Sequence, residues 1–187
     1  MSEVRQVAVL VGSLRKESLN RKMAVALAKL AAPALKLEIV EIGDLPLYNQ
    51  DLDNSPPDAW TRLREAIRTA DAVLFVTPEY NRSVPGVLKN AIDVASRPYG
   101  HNAFGHKPGA VVSLSPGALG AFGANHHLRQ SLVFLNVPTM AQPEAYVGGA
   151  GELFDENGAL KKETAREFLI AFLAAFSAWI ESNRARG

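Results

Sequence analysis

The sequence predicts an α/β fold in which a doubly wound, parallel β-sheet lies between two layers of helices. Three observations support this prediction. Short apolar segments recur along the chain, a longer segment with apolar residues at helical spacing follows most of them, and polar or glycine- and proline-containing loops separate the two kinds. Strands that are apolar at nearly every position are typical of parallel sheets, because helices cover both faces of such sheets.

Five strands are predicted. The segments "QVAVLV" at 6–11, "AVLFVT" at 72–77 and "GAVVSLS" at 109–115 are largely apolar, as expected for strands buried on both faces. "LKLEIVEI" at 35–42 alternates between apolar and polar residues, which also indicates a strand. A short last strand is predicted near Pro138–Met140.

Helical spacing of apolar residues predicts five helices. The first begins near Asn20, because Met23, Leu27 and Leu30 recur at helical spacing before Pro33. The apolar faces of the other four consist of Trp60, Leu63, Ile67 and Ala70; of Val84, Val87, Leu88, Ala91, Ile92 and Ala95; of Leu128, Leu132 and Leu135; and of Phe168, Phe172, Phe176, Trp179 and Ile180.

The length of the chain narrows the topology. Five strands in 187 residues favour the flavodoxin-like strand order 2-1-3-4-5 over the larger dinucleotide-binding fold. With no repeat or linker in the sequence, we expect one domain over residues 1–187. Ligands of such sheets bind beyond the carboxyl ends of the strands. The loops after residues 11, 77 and 115 are therefore the candidate site.

Composition excludes several classes of function. The 20 basic and 19 acidic residues give a net charge of +1, so no charge excess favours binding to nucleic acid or a membrane surface. The sequence has no cysteine, which excludes disulfides, thiolate catalysis and cysteine metal sites. No segment approaches the roughly 18–20 apolar residues of a membrane span, and the amino terminus is not typical of a signal peptide. We expect a cytoplasmic protein.

The first loop, "GSLRKESLN", has the features of an anion site. It matches neither the phosphate loop of nucleotide hydrolases nor the dinucleotide fingerprint, yet it precedes a helix whose first N–H groups attract anions. Ser13, Ser18 and Asn20 add short polar side chains, and Arg15 adds a bidentate phosphate partner. The alternative is that Ser18 or Asn20 only caps the helix and Arg15 is a solvated charge. Three other charged residues are predicted to face solvent: Lys16, Glu17 and Arg21.

The second loop, "PEYNRS", suits the edge and face of a flat ring. Pro78 stiffens the turn, and Glu79, Tyr80 and Asn81 follow it at the end of a buried strand. The alternative is that Ser83 caps the next helix and Tyr80 only packs against the protein.

The third loop, "SLSPGALGAFG", contains Ser115, Gly117 and Gly120, and its glycines allow a ligand to approach the backbone closely. The alternative is a flexible loop that precedes a helix.

Three segments resemble one family. "GSLRKESLNRKMA", "VTPEYNRSVPGVLKNAID" and "HLRQSLVFLNV" are similar, in register from residue 6 to about residue 150, to the NADPH-dependent FMN reductases, which include the bacterial quinone and chromate reductases. The resemblance implies a flavodoxin-like fold that holds FMN without a covalent bond. It also implies NADPH or NADH as co-substrate and a small-molecule electron acceptor.

The resemblance also assigns the loops. The family's phosphate, ring and third-loop contacts fall on Ser13, Arg15, Ser18 and Asn20; on Pro78, Glu79, Tyr80 and Asn81; and on Ser115, Gly117 and Gly120. The chain departs from the family pattern at Ala121, where relatives usually have glycine, and at Arg82, where they often have an aromatic residue.

The family's assembly is implied as well. Its members form dimers that often pair into tetramers, so a homodimer or homotetramer is expected. The candidate contacts are the loop 97–109 and the helix 126–136, in which His126 stands where relatives use a tyrosine in a tetramer contact.

The implied activity needs no catalytic side chain and no metal. NAD(P)H reduces the bound FMN, which then passes its electrons by a ping-pong mechanism to quinones, azo compounds, free flavin or oxidised metal ions. Two alternatives remain open. One is a flavodoxin-like electron carrier or binding module without nicotinamide activity, although such carriers tend to be strongly acidic and this chain is nearly neutral. The other is a phosphate- or nucleotide-binding regulatory domain that binds no flavin.

Overall fold

A computed structural model describes residues 3–31 and 33–183 and has a five-stranded, all-parallel sheet. The strand order is β2-β1-β3-β4-β5, which confirms the predicted topology. The strands are β1 (Arg5–Val11), β2 (Leu35–Val40), β3 (Ala72–Thr77), β4 (Gly109–Leu114) and β5 (Ala145–Val147).

The fifth strand lies later in the chain than the sequence predicted. The predicted segment, Pro138–Met140, contributes only a single bridge between Thr139 and Gly109. The chain joins the sheet again at Ala145, which pairs with Val112 of β4. Pro138 and Pro143 have no N–H group, so a continuous ladder across this segment is not possible.

Helices cover both faces of the sheet. They are α1 (Leu19–Leu30), α2 (Asp58–Thr69), α3 (Gly86–Ala95), α4 (Phe122–Phe134) and α5 (Glu163–Asn183), with short 3₁₀ turns at Gln50–Leu52 and Ala150–Glu152. α1 and α5 pack on one face, and α2, α3 and α4 pack on the other. None of the helices over the described residues is long and apolar enough to cross a bilayer.

The alternation of side chains along β3 explains why this strand is largely apolar. Leu74 and Val76 belong to the core under α1 and α5, whereas Val73 and Phe75 belong to the core under α2, α3 and α4. Every residue of β3 is buried. A strand buried on both faces positions the loop that follows it rigidly, because neither face is free to move.

Candidate functional site

The three candidate loops lie side by side at the carboxyl edge of the sheet. They follow β1, β3 and β4, which are adjacent in the strand order. Gly12 lets the first two loops lie close together because it has no Cβ. A Cβ at this position would lie only 3.1 Å from Thr77 Oγ1 and 3.2 Å from Pro78 Cδ. Its N–H also donates to the Val76 carbonyl (2.9 Å). A larger residue at position 12 would separate the two loops.

The first loop contains two buried serines, and one of them lies at the start of α1. Ser13 and Ser18 are both buried. Ser18 caps the helix, since its Oγ accepts the N–H of Arg21 (3.1 Å). The capping interpretation is therefore confirmed, but it is compatible with anion binding. The Ser18 hydroxyl proton remains able to donate, and the N–H groups of Leu19 and Asn20 have no acceptor within the helix.

Asn20 has an unsatisfied polar atom. The residue is only 5% exposed, and its Oδ1 has no hydrogen-bond partner within the part of the chain that the structure describes. A buried amide oxygen without a partner costs about 1–3 kcal/mol. A ligand hydroxyl that donates at this position would remove that cost.

Charged side chains of the first loop differ in their partners. Arg21 pairs with Glu41 (2.5 Å) and Glu17 pairs with Lys22 (3.1 Å), whereas Arg15 has no ion pair among the described residues. Arg15 is also exposed, so its guanidinium is free to bind an anion. The prediction that Lys16, Glu17 and Arg21 face solvent is confirmed.

The second loop forms a tight turn. The N–H of Tyr80 donates to the Ser83 carbonyl (3.1 Å), and the N–H of Ser83 donates to the Tyr80 carbonyl (3.0 Å). Asn81 and Arg82 between them both have left-handed backbones, with φ of 52° and 62°. Two consecutive left-handed residues define a type I′ turn. This turn presents Tyr80 at the edge of the sheet, 47% exposed.

The alternative interpretation of the second loop was wrong in both parts. Pro85, not Ser83, is the residue that precedes α3, and Ser83 Oγ lies 2.8 Å from His127 Nδ1. Tyr80 is too exposed to be a packing residue. Tyr80 and Asn81 are therefore exposed and open to a ligand, whereas Pro78 is buried and Glu79 is half-buried.

The third loop packs against the end of β5. A Cβ on Gly120 would lie 2.6 Å from the backbone of Tyr146 and of Val147, and Gly120 has a left-handed φ of 57°. The Ser113 hydroxyl donates to the Gly120 carbonyl (2.8 Å) from inside the protein. Ser115 donates to the Gly117 carbonyl (3.2 Å) and is accessible, as is Gly117. The loop is therefore anchored, in contrast to the flexible loop that the sequence allowed.

Tyr146 fixes the outer side of this loop. Its hydroxyl donates to Glu144 (2.6 Å) and lies 3.0 Å from His126 Nε2, which then donates to it. Burial, together with the hydrogen bond to the Glu144 carboxylate, raises the pKa of Tyr146 to about 12. Tyr146 thus stays protonated at neutral pH and holds the end of β5 in place.

Sequence reasoning missed the residues that connect these loops. Gly148 approaches the Ala118 carbonyl so closely that no Cβ fits there. Asn125 donates to Ser113 (3.1 Å) and accepts from Arg129 (2.8 Å), which links α4 to β4 through buried polar groups. The only sequence signal was the pair of glycines at 148 and 149, because Gly148 and Ala118, like Asn125 and Ser113, are well separated in the chain.

Ala121 has a strained backbone. It precedes α4 with φ 60° and ψ 38°, the left-handed conformation that costs a residue with a Cβ about 1–2 kcal/mol. This is the position at which the resemblance led us to expect glycine. We expect Ala121→Gly to raise the free energy of unfolding by about 0.5–1 kcal/mol, because the relief of strain exceeds the entropy that glycine adds to the unfolded chain.

Urea unfolding of the two proteins measures this difference, and Ala124→Gly is the matched control. Ala124 lies three residues further on, inside α4, so glycine there is expected to lower the stability by about 1 kcal/mol. A loss of stability in both variants would contradict the assignment of strain to Ala121.

A flavodoxin-like sheet with three candidate ligand loops at adjacent strand ends is an architecture that flavin-binding oxidoreductases use. The sequence profile of the NADPH-dependent FMN reductases matches residues 5–152, and the chain belongs to this family. It is therefore an FMN-dependent oxidoreductase, as the sequence resemblance implied.

Similar proteins agree with this assignment. A quinone reductase of Pseudomonas putida is 65% identical over 99% of this chain and 100% of its own length. A 2-hydroxy-1,4-benzoquinone reductase of Burkholderia is 45% identical over 96% of this chain and 98% of its own length. The solved structure of FerB, a flavoenzyme NAD(P)H:(acceptor) oxidoreductase of Paracoccus denitrificans, has a TM-score of 0.92 and 46% identity and covers 97% of this chain and 100% of that one.

Proposed function

We propose that the protein is a cytoplasmic NAD(P)H:quinone oxidoreductase that holds FMN across the three loops at the carboxyl edge of the sheet. When bound, FMN supplies the redox chemistry, since it is reduced by a hydride from NAD(P)H and oxidised by the second substrate. The observation that carries the proposal is the first loop, where Arg15, which has no ion pair among the described residues, stands in the chain between the buried Ser13 and Ser18 and just before α1. The names of the full-length relatives support quinones as acceptors.

The residues of the first loop fit the polar end of FMN. A phosphate has only acceptor oxygens, so its site needs donors. The first loop supplies them through the guanidinium of Arg15, the hydroxyls of Ser13 and Ser18 and the free N–H groups of α1. Asn20 Oδ1 is an acceptor without a partner in the described part of the chain, and the ribityl chain of FMN carries hydroxyl donors. Donors for the phosphate and an acceptor for a hydroxyl therefore occur together.

The second and third loops suit the isoalloxazine ring. In our proposal, the ring contacts the backbone of the second loop and the side chain of Tyr80. The residues of this loop are Pro78, Glu79, Tyr80 and Asn81. Ser115, Gly117 and Gly120 form the opposite edge. The contribution of these residues is to orient the ring and to leave one face open, and no side chain is required to transfer a proton.

A ping-pong mechanism follows if both substrates use the same open face. Tyr80 and Arg82 at the rim are exposed, so the face is accessible to molecules of different shapes. We expect initial rates, measured against NADPH at several fixed quinone concentrations, to give parallel double-reciprocal lines. Convergent lines, which require both substrates to be bound at once, would contradict a shared site.

The proposal is tested by reduction of the flavin in the absence of oxygen. The purified protein is expected to be yellow, with the absorbance near ~450 nm that is characteristic of oxidised flavin. Stopped-flow mixing with NADPH and with NADH should bleach this absorbance, and a panel of quinones, azo dyes and ferric complexes should restore it.

Each failure identifies an alternative. A colourless protein that binds no added FMN would favour the regulatory domain. A yellow protein that neither nucleotide reduces would favour the electron carrier. Reduction without reoxidation by any quinone would leave the family assignment intact but would contradict the proposed acceptor.

Self-association is the second part of the proposal. The end of α4 presents Val133 and Phe134, which are 78% and 74% exposed, and the loop 97–109 presents Tyr99. Exposed apolar groups of this size are typical of interfaces. Because the family forms dimers and tetramers, we propose that a second copy of this chain covers them.

Light scattering of the wild-type protein and of Phe134→Glu measures this association. We expect the wild type to have at least twice the mass of the 20.1 kDa chain and the variant to dissociate, because a buried carboxylate without a partner is costly. A monomeric wild type would refute the proposal. Val25→Glu, on the exposed side of α1, is the control for a general effect of added charge.

A further inference from the structure

The carboxylate of Glu79 is directed at a helix start. The residue follows Pro78 in the second loop, and its side chain is only 12% exposed. Its Oε2 accepts the N–H of Ala124 in α4 (3.0 Å), and its Oε1 pairs with Arg82 Nη1 (3.1 Å). Both oxygens are therefore engaged within the protein.

The start of α4 lacks a cap of its own. The residue that precedes the helix is Ala121, which has no side-chain acceptor. The first N–H groups of a helix need acceptors from outside it, and they carry a partial positive charge that favours an anion. Glu79 lies 45 residues earlier in the chain and supplies both the acceptor and the negative charge.

Gly123 creates the space for this contact. A Cβ on Gly123 would lie 2.9 Å from Glu79 Oε2 and 3.2 Å from the Arg82 carbonyl. The second loop therefore rests directly on the backbone of α4. Any side chain at position 123 would push the two apart.

We propose that Glu79 is a positioning residue that fixes the second loop relative to the third loop and the start of α4. The inference rests on the proposed function, because the ring is held between these two loops. Glu79 sets the width of the ring site by holding Ala124, and its carboxylate does not bind the ring. Glu79 is predicted to contact FMN only through its backbone.

Two substitutions separate positioning from direct binding. Glu79→Gln keeps the length of the side chain and a carbonyl oxygen that accepts the Ala124 N–H. It loses the ion pair to the exposed Arg82 and the negative charge beside the helix start, which is typically worth about 1 kcal/mol or less. Exposed ion pairs contribute little. Glu79→Ala removes the acceptor. We expect FMN to bind about tenfold more weakly to Glu79→Ala and less than about threefold more weakly to Glu79→Gln.

Hydrogen exchange of the Ala124 amide reports on the contact itself. In the FMN-loaded protein we expect this amide to exchange at least about tenfold faster in Glu79→Ala than in the wild type, and at nearly the wild-type rate in Glu79→Gln. Gly123→Ala should give the same faster exchange, because it displaces the carboxylate without removing it. This variant keeps the test valid if Glu79→Ala does not fold.

The outcomes are distinct. Unchanged exchange in both Glu79→Ala and Gly123→Ala would overturn the inference. Weak FMN binding in Glu79→Gln with normal exchange would also overturn it, since the carboxylate would then contact the cofactor directly. If the wild type bound no FMN, the proposed function would fail, whereas the exchange of Ala124 in the unloaded protein would still report on the contact between Glu79 and α4.

Discussion

Replacing Arg15 with alanine is expected to weaken FMN binding about tenfold or more, because charge-assisted hydrogen bonds to a phosphate contribute roughly 1.5–3 kcal/mol. The side chain is exposed and has no ion pair among the described residues, so its removal leaves no buried charge behind. The stability of the unloaded protein should therefore be nearly unchanged. Quenching of FMN fluorescence on titration with each protein measures the affinity.

Two neighbouring changes make this measurement specific. Lys16→Ala removes another exposed cation of the same loop and is expected to weaken FMN binding less than about threefold, as for a solvated surface charge. Arg15→Lys keeps the charge but not the planar pair of donors, and we expect an intermediate affinity. If Arg15→Ala and Lys16→Ala bound FMN equally well, Arg15 would be only a solvated charge, as the alternative interpretation of the first loop holds.

The sequence predicted the strands correctly where burial on both faces of the sheet requires apolar residues. Every residue of β3 and β4 is buried, and the sequence of each strand is correspondingly apolar. β5 was misplaced because it has three residues, two of which are only partly buried, so it has no comparable pattern. In the predicted segment Pro138–Met140, Met140 is instead apolar because it packs in the same core as α5. Apolar residues there reflect packing rather than strand pairing.

The site was predictable as a set of loops, but its internal construction was not. Strand order alone brings the ends of β1, β3 and β4 together, and the sequence was sufficient to predict that order. The hydrogen bond from Ala124 to Glu79 spans 45 residues, and no local pattern indicates it. The left-handed backbone of Ala121 was equally hidden, because alanine ordinarily favours a right-handed helix. Only the comparison with the family's usual glycine pointed to position 121.

Substituting Gly120 with alanine should have a larger effect on stability than any other change considered for the three loops. The new Cβ would meet the backbone of Tyr146 and Val147 at 2.6 Å, where neither partner is a side chain that moves away. Overpacking costs about 1–3 kcal/mol and the left-handed φ about 1–2 kcal/mol, so we expect a loss of about 2–5 kcal/mol in the free energy of unfolding. Urea unfolding followed by tryptophan fluorescence measures it.

Gly149→Ala separates the two causes. Gly149 has a similar left-handed φ of 62°, but beyond its chain neighbours no atom of the described residues lies within 4 Å of the position of its Cβ. Its substitution is therefore expected to cost only the conformational part, about 1–2 kcal/mol. An equal loss in the two variants would show that the third loop moves freely away from β5. A greater loss in Gly120→Ala, accompanied by weaker FMN binding, would show that the contact with β5 holds the third loop in its ligand-binding position.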